Sequence, residues 1–230
     1  MATILITGTN RGLGLEFVQQ YLQRGERVIA TCRNPDESDA LQELAASNPI
    51  LSLLPLEVSD AQSMAVFAEA IKDEAIDVFI NNAGVYGPRD ANFGNVSGED
   101  WEEVLKINSI APILLTQLII GSLRQGSEQK LVYITSKMGS IDDNRGGGSY
   151  IYRSSKTALN SAVKSLSVDL ADEGFSVALL HPGWVRTDMG GPNGLIDAPE
   201  SVSGMISVID NLSAANSGQF FNYDGNVIPW

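Results

Sequence analysis

The sequence predicts an α/β fold in which a doubly wound, seven-stranded parallel sheet carries helices on both faces, giving three layers. Short apolar runs alternate with amphipathic segments along the whole chain, and most runs are continuous stretches of Ile, Leu and Val. Such runs are typical of strands buried on both faces, and intervening helices connect parallel strands. The length of 230 residues suits a single domain with a substantial core, so we expect residues 1–230 to form one domain.

The individual elements follow from apolar periodicity and from turn residues. The predicted strands are Thr3–Thr7, Arg27–Thr31, Leu51–Leu56, Asp77–Asn81, Lys130–Thr135, Ser176–His181 and Gly218–Asn222. The predicted helices are Leu13–Arg24, Ala61–Glu74, Glu99–Leu123 and Ser149–Ala171. The segments predicted as loops are Pro88–Asn95, Asp142–Gly148 and Thr187–Pro199.

Composition restricts the partners and the compartment. A net charge of −13 predicts a surface that repels nucleic acid and anionic membranes, so an anionic ligand needs a local cationic patch. The apolar stretch near Ile110–Ile120 is interrupted by polar residues and is predicted to be too short to span a bilayer. Cys32 is the only cysteine, which excludes an internal disulfide and fits a cytoplasmic protein. No metal is part of the predicted site.

A glycine-rich loop follows the first strand, in the segment Thr7–Gly14, and a helix follows the loop. Glycines allow a tight turn and a close approach of the backbone to a phosphate, and a helix N-terminus offers free N–H groups. Three residues separate Gly8 from Gly12, which is one more than the wider of the two glycine spacings in the commonest dinucleotide fingerprint. A simple tight turn remains the alternative, but the position between strand and helix favours a dinucleotide site.

Tyr152 and Lys156 lie four residues apart in a predicted helix and therefore share a face. Alone, the pair is compatible with two solvated side chains. Ser136, however, ends a buried strand at the sheet edge where active sites of parallel sheets form. We expect the ammonium to favour the phenolate, so that Tyr152 acts as a general acid near neutral pH. Ser136 would hold the substrate oxygen as negative charge develops on it.

Asn108 lies inside a predicted helix, four residues before Pro112. Proline has no N–H, so the main-chain carbonyl of Asn108 loses its usual helical partner and is free to hold a water. This water would link Lys156 to solvent and resupply Tyr152 with protons. A plain proline kink is the alternative.

Together these residues resemble the classical short-chain dehydrogenase/reductase family over nearly the whole chain. The tetrad Asn108, Ser136, Tyr152 and Lys156 matches the family's catalytic residues in order and spacing. Further matching motifs are Thr7-Gly8 with Gly12 and Gly14, Asn81-Asn82-Ala83-Gly84, and Pro182-Gly183-Trp184-Val185-Arg186-Thr187. The segment Asn10–Gly14 and the C-terminal segment Asp224–Trp230 are similar to those of sniffer-type carbonyl reductases and C-factor-like proteins.

The resemblance implies a Rossmann-type sheet, a nicotinamide dinucleotide cofactor and a set of binding residues. Glu57 and Val58 would contact the adenine, with Glu57 standing where the family usually has Asp. Lys156 would also bind the nicotinamide ribose, and Val185 and Thr187 would contact the carboxamide. The complete implied set is Gly8, Asn10, Arg11, Gly12, Leu13, Glu57, Val58, Asn82, Ala83, Gly84, Tyr152, Lys156, Pro182, Val185 and Thr187.

The end of the second strand predicts NADP(H) rather than NAD(H). NAD binders usually place an acidic residue there to bind the ribose hydroxyls. This chain has Cys32-Arg33 instead, and the guanidinium of Arg33 suits bidentate binding of a phosphate. Arg11 would approach the same phosphate from the glycine loop. The alternative is that both arginines are solvated surface residues.

The predicted function is NADPH-dependent reduction of the carbonyl group of a small aldehyde, ketone or quinone. A cofactor-binding signalling or regulatory protein of the same fold is the alternative. A methyltransferase is disfavoured because Cys32-Arg33 occupies the position where an acidic residue would hold ribose. The family resemblance also implies a homodimer formed by the helices that carry Asn108 and Tyr152. His181, the only histidine, is predicted to be structural.

Overall fold

A computed structural model describes all residues from Met1 to Trp230. Its seven strands form one sheet in which every pair of neighbours is parallel, in the order β3-β2-β1-β4-β5-β6-β7. The strands are β1 Thr3–Thr7, β2 Arg27–Cys32, β3 Leu51–Pro55, β4 Val78–Asn81, β5 Lys130–Ile134, β6 Ser176–His181 and β7 Gln219–Asn222. The predicted Rossmann-type architecture is confirmed, and all seven strands occur within two residues of their predicted bounds.

Helices cover both faces of the sheet. They are α1 Gly12–Gln23, α2 Asp39–Ser47, α3 Ala61–Ala70, α4 Gly98–Leu105, α5 Ala111–Gln125, α6 Tyr150–Asp169 and α7 Ala198–Asp210. Apolar residues of α1, α2 and α7 pack on one face of the sheet. Apolar residues of α3, α5 and α6 pack on the other face. Alternate residues of a strand pack against opposite helix layers. Ile4 and Ile6 pack with α1, α2 and α7, and Leu5 packs with α3, α5 and α6.

The sheet changes winding direction between β1 and β4, which are hydrogen-bonded neighbours. From β1 the chain proceeds outwards to β2 and β3, and it then returns to β4 and continues in the opposite direction. Loops leaving the two central strands at their carboxyl ends therefore diverge and leave a crevice between them. In open α/β sheets ligands bind at this switch point.

One long helical segment departs from the predicted single helix. Between α4 and α5, residues Lys106–Ile110 form a π-helical turn in which the Ala111 N–H donates to the Lys106 carbonyl. The turn lies immediately before Pro112, so the missing proline N–H is accommodated by a wider helical turn rather than by a kink alone. It contains Asn108, which is almost fully buried.

The π turn also makes the segment Gly98–Gln125 one continuous helix of 28 residues, long and apolar enough to cross a membrane. The apolar stretch near Ile110–Ile120, predicted to be too short to span a bilayer, therefore lies within a longer apolar helix. The core helices of soluble proteins can be equally long and apolar, so length and composition alone do not identify a membrane-spanning helix. Leu115, Ile119 and Leu123 are fully buried here against the sheet.

Candidate active site

A cleft lies at the carboxyl edge of the sheet, above the switch point. Its lining includes most of the predicted cofactor-binding residues, namely Gly8, Asn10, Arg11, Gly12, Leu13, Arg33, Glu57, Val58, Asn82, Ala83, Gly84, Tyr152, Lys156, Pro182 and Thr187. Val185 is the exception. Its side chain is buried and its backbone pairs with Ile196, so it lies behind the cleft wall.

The glycine loop packs too tightly for side chains at two positions. Gly8 has a φ of +70°, and a Cβ there would lie 2.9 Å from the Cα of Ala83. A Cβ on Gly14 would lie 2.1 Å from the Gly8 carbonyl oxygen. These contacts bring the loop, the end of β4 and the first turn of α1 against one another, so the backbone itself forms this part of the cleft.

The N-terminus of α1 is left without a side-chain cap. Arg11 occupies the N-cap position and makes no capping hydrogen bond, and the first turn contains no acidic residue. By contrast, Asp60 caps α3 by accepting from the Gln62 and Ser63 N–H groups. Free N–H groups and an uncompensated helix dipole facing a cleft suit an anion such as a phosphate.

Asn82 has a structural task that sequence analysis did not anticipate. Its side-chain amide donates to the carbonyl oxygens of Thr7 and Gly8, both at 2.9 Å. The Thr7 hydroxyl in turn accepts from the N–H groups of Asn82 and Ala83 at 3.1 and 3.0 Å. The side chain of Asn82 therefore holds the glycine loop to the end of β4 and lines the cleft with its amide nitrogen already bonded.

The four predicted catalytic residues lie close together: Tyr152 and Lys156 line the cleft, whereas Ser136 and Asn108 lie next to lining residues without being part of the lining. Ser136 lies just beyond β5, where its hydroxyl accepts from the Met138 N–H at 3.1 Å and is close enough to the Tyr152 phenol to lower its pKa. The short turn after Ser136 packs directly on α6, since a Cβ on Gly139 would lie 2.9 Å from Lys156 atoms. The Lys156 ammonium donates to the Ile134 carbonyl at 3.0 Å and lies 5.9 Å from the centre of the Tyr152 ring.

Asn108 reaches the site from the π turn. Its amide oxygen accepts from the Val85 N–H at 2.9 Å, and its amide nitrogen donates to the Val85 carbonyl at 2.8 Å. The same nitrogen donates to the Ser155 hydroxyl at 3.0 Å, next to Lys156 on α6. The side chain of Asn108 therefore ties the loop after β4 to the helix that carries Tyr152.

Burial dominates the protonation of the catalytic pair. It raises the pKa of Tyr152 to about 12, against a smaller lowering by the hydrogen bond from Ser136. It also lowers the pKa of Lys156 to about 8. In the pKa of Tyr152, burial therefore outweighs the lowering that the sequence-based expectation assigns to the ammonium. Desolvation penalises both charged forms, and the ammonium is directed at the Ile134 carbonyl.

The two arginines predicted to bind a phosphate are exposed, with side-chain exposures of 70% for Arg11 and 77% for Arg33. Each has a carboxylate neighbour that the sequence did not reveal. Arg11 pairs with Asp188 at 2.9 Å, and the Nε of Arg33 lies 3.8 Å from Glu57. The other carboxylate oxygen of Glu57 accepts from the N–H and hydroxyl of Ser59 at 3.0 and 2.8 Å. A phosphate at this end of the cleft would compete with both carboxylates.

His181 lies at the end of β6 and is largely buried, with its Nδ1 unpartnered. Burial lowers its pKa to about 4, so the imidazole is neutral at physiological pH. The cleft lining does not include His181.

Comparison with known proteins agrees with this geometry. The family model for short chain dehydrogenases matches residues 2–194. The C-signal protein of Myxococcus xanthus is 48% identical over 167 residues, which are 73% of this chain and 100% of that protein. The carbonyl reductase Sniffer of D. melanogaster has a TM-score of 0.94 at 34% identity, covering 100% of both chains. The NADPH-bound carbonyl reductase from chicken fatty liver has a TM-score of 0.92 at 37% identity, covering 100% of this chain and 99% of that one. The chain belongs to the short-chain dehydrogenase family of oxidoreductases.

Proposed function

We propose that this protein uses NADPH to reduce the carbonyl group of a small aldehyde, ketone or quinone, and that residues 1–230 act as one catalytic domain. The observation that carries the proposal is that Tyr152 and Lys156 line the same cleft as the glycine loop, with Ser136 beside Tyr152. Two structural relatives, the Sniffer protein and the chicken enzyme, are both carbonyl reductases, which supports the same reaction class.

The cleft fits a dinucleotide phosphate. The uncapped N-terminus of α1 offers N–H donors, and the glycine loop admits a close backbone approach. No acidic residue ends β2, where Cys32 is followed by Arg33. The two exposed guanidiniums of Arg11 and Arg33 supply the local positive charge that a chain of net charge −13 otherwise lacks.

NADPH supplies the hydride to the carbonyl carbon when it is bound. Tyr152 gives its phenolic proton to the carbonyl oxygen as that oxygen gains negative charge, and Ser136 holds the same oxygen through its hydroxyl. Lys156, whose ammonium lies beside the Tyr152 ring, favours the phenolate left behind. The main-chain carbonyl of Asn108 holds a water through which Lys156 and Tyr152 recover a proton.

The test is a screen of aldehydes, ketones and quinones for NADPH oxidation by the wild-type protein and by Tyr152→Phe. We expect the variant to bind NADPH like the wild type and to lose about 10²–10⁴-fold in turnover, the usual contribution of a general acid. A variant that keeps the wild-type rate on its best substrate would show that Tyr152 is not the proton donor.

A signalling or regulatory protein of the same fold is the second candidate, and the 48% identity to the protein named C-signal favours it. Such a protein needs to bind cofactor but needs no catalysis. NADPH binding without oxidation across the whole carbonyl panel would favour this candidate over the reductase. We rank it second because all four tetrad residues are present and assembled.

We propose a homodimer as the assembled form. The outer face of α5 and its preceding π turn carries Ile110, Leu114 and Leu118 at spacings of four, each about half exposed at 52%, 44% and 45%. Apolar residues at this spacing form one stripe along a helix. Only 15 residues separate Ser136 from Tyr152, so no long insertion covers the neighbouring surface. A second copy of the chain would bury the stripe.

A further inference from the structure

We propose that Tyr86 is a positioning residue for the proton donor, and that Arg89 links its position to the loop that covers the cleft. The ring of Tyr86 stacks on the ring of Tyr152, with centres 4.4 Å apart and planes inclined by 23°. Offset stacking at this distance is a favourable geometry for aromatic pairs. The inference rests on the proposed function, since it assumes that Tyr152 donates the proton.

The backbone around Tyr86 is fixed from both sides. The preceding residue, Val85, has its N–H and its carbonyl both bonded by the side chain of Asn108. The following residue, Gly87, has a φ of +75°, and a Cβ there would lie 2.7 Å from Val104 on α4. This short segment therefore has little freedom to move, and its aromatic ring is held over Tyr152 by a rigid support.

The hydroxyl of Tyr86 reaches the start of the catalytic helix. It lies 3.2 Å from the hydroxyl of Ser149, the residue immediately before α6. Ser149 has a φ of 47° and a ψ of 44°, a left-handed conformation that is unfavourable for a residue other than glycine. The contact therefore lies where the backbone enters α6 under strain, three residues before Tyr152.

Arg89 extends the contact to the opposite wall of the cleft. Its guanidinium carbon lies 5.3 Å from the centre of the Tyr86 ring on the exposed side. It donates to the main-chain carbonyls of Met189 at 2.9 Å and Asp188 at 3.3 Å. Asp188 in turn accepts from Arg11 of the glycine loop. The loop after β6 is thus connected, through Arg89 and Tyr86, to the ring of Tyr152.

The role of Arg89 is mechanical rather than electrostatic. Its side chain is exposed, so solvent screens its charge. One guanidinium nitrogen, Nη2, donates to both adjacent carbonyls and so holds the main chain of the loop at two consecutive residues. We infer that the proton donor is best aligned when the loop carrying Asp188 and Met189 lies over the cleft.

The test compares Tyr86→Leu, which removes the stacked ring, with Tyr86→Phe, which keeps the ring and removes only the contact to Ser149. Phe93→Leu is the matched control, because Phe93 is an aromatic residue of the same segment whose ring lies 6.4 Å from Tyr150 rather than on Tyr152. The measurements are kcat, KM, NADPH affinity and the solvent deuterium isotope effect on kcat, with the best carbonyl substrate from the panel.

We expect Tyr86→Leu to lower kcat by between about tenfold and a hundredfold, the cost typical of a misplaced catalytic group. NADPH affinity should stay within about twofold, and the solvent isotope effect should rise, because proton donation becomes the slower step. Tyr86→Phe should recover most of the lost rate, and Phe93→Leu should match the wild type. Tyr86→Leu with an unchanged kcat, or a lowered kcat with an unchanged isotope effect, would overturn the proposal.

Hydrogen–deuterium exchange gives a readout that needs no turnover. Tyr86→Leu should increase exchange in the first turn of α6, and Arg89→Met should increase exchange at residues 187–190. Unchanged protection in both segments would refute the coupling even if the protein proved inactive. A wild-type protein that reduces no carbonyl while both variants loosen these segments would instead refute the proposed function and leave the contact established.

Discussion

Replacing Arg33 tests the proposed choice of NADPH over NADH. Arg33 follows β2, and its side chain is 77% exposed, with Glu57 at 3.8 Å as its acidic neighbour. NADPH differs from NADH by one phosphate on the adenosine ribose, so a residue that recognises this phosphate should affect only the phosphorylated cofactor. We expect Arg33→Ala to weaken the use of NADPH and to leave the use of NADH nearly unchanged.

The size of the effect follows from two opposing contributions. A charge-assisted hydrogen bond contributes about 1.5–3 kcal/mol. Drawing the guanidinium away from Glu57 costs about 0–1 kcal/mol, the usual contribution of an exposed ion pair. The net contribution is then about 0.5–3 kcal/mol, which corresponds to a change of about 2–150-fold in kcat/KM. Arg33→Asp adds repulsion of about 1–2 kcal/mol at roughly 5 Å in water, enough to remove or invert the preference.

The assay measures kcat/KM for NADPH and for NADH at a saturating concentration of one carbonyl substrate. Arg145→Ala is a matched control, because Arg145 is 82% exposed and lies 3.8 Å from the carboxylate of Asp142, outside the cleft lining. This control variant should leave the ratio of kcat/KM for NADPH to kcat/KM for NADH unchanged. Equal use of NADH and NADPH by the wild type, or an equal loss with both cofactors in Arg33→Ala, would refute the assignment of Arg33 to the phosphate.

Three further predictions concern pH, the covering loop and assembly. Burial lowers the pKa of Lys156 from 10.5 to about 8, so its ammonium is present below that pH. We therefore expect kcat/KM for reduction to fall as the pH rises through 8. A pH profile that stays flat well above 8 would contradict the role of the Lys156 charge. The segment Thr187–Pro199 should gain protection from hydrogen exchange when NADPH binds, and equal protection with and without NADPH would argue against closure of this loop. Leu114→Asp places a charge on the exposed apolar stripe and should convert a dimer into a monomer. Light scattering at micromolar protein concentration would measure this change. A wild-type protein that is already a monomer would exclude the dimer itself.

The fold was the most predictable part of the molecule, because each buried strand is a continuous apolar run bounded by polar or turn residues. The two helices that sequence analysis does not assign show where this signal weakens. In α2, Asp39–Ser47, Leu41 is the only buried residue, so the apolar face is too narrow to give a clear periodicity. Helix α7, Ala198–Asp210, begins inside the segment predicted as a loop up to Pro199. Its Pro at N2 and its apolar residues at helical spacing were signals that could have identified it.

The proximity of the proposed catalytic residues was predictable for a different reason. Tyr152 and Lys156 are four residues apart on one helix, so their spacing alone places them on one face. The pair of Arg11 and Asp188 is separated by 177 residues, and the stack of Tyr86 on Tyr152 joins a loop to a helix. Such contacts depend on how the loops after β4 and β6 close over the sheet, which local patterns in the sequence do not encode.

The protonation state of the buried pair has a consequence for the direction of the reaction. Burial favours the neutral form of each group, and the two pKa values of about 12 for Tyr152 and about 8 for Lys156 both lie above neutral pH. At pH 7 the phenol therefore keeps its proton while the lysine remains charged. A protonated Tyr152 can give a proton to the oxygen of a carbonyl, whereas accepting one from an alcohol requires the phenolate. In the proposed mechanism this protonation state suits reduction, and oxidation of an alcohol should require a pH high enough, or a neighbouring positive charge strong enough, to ionise Tyr152.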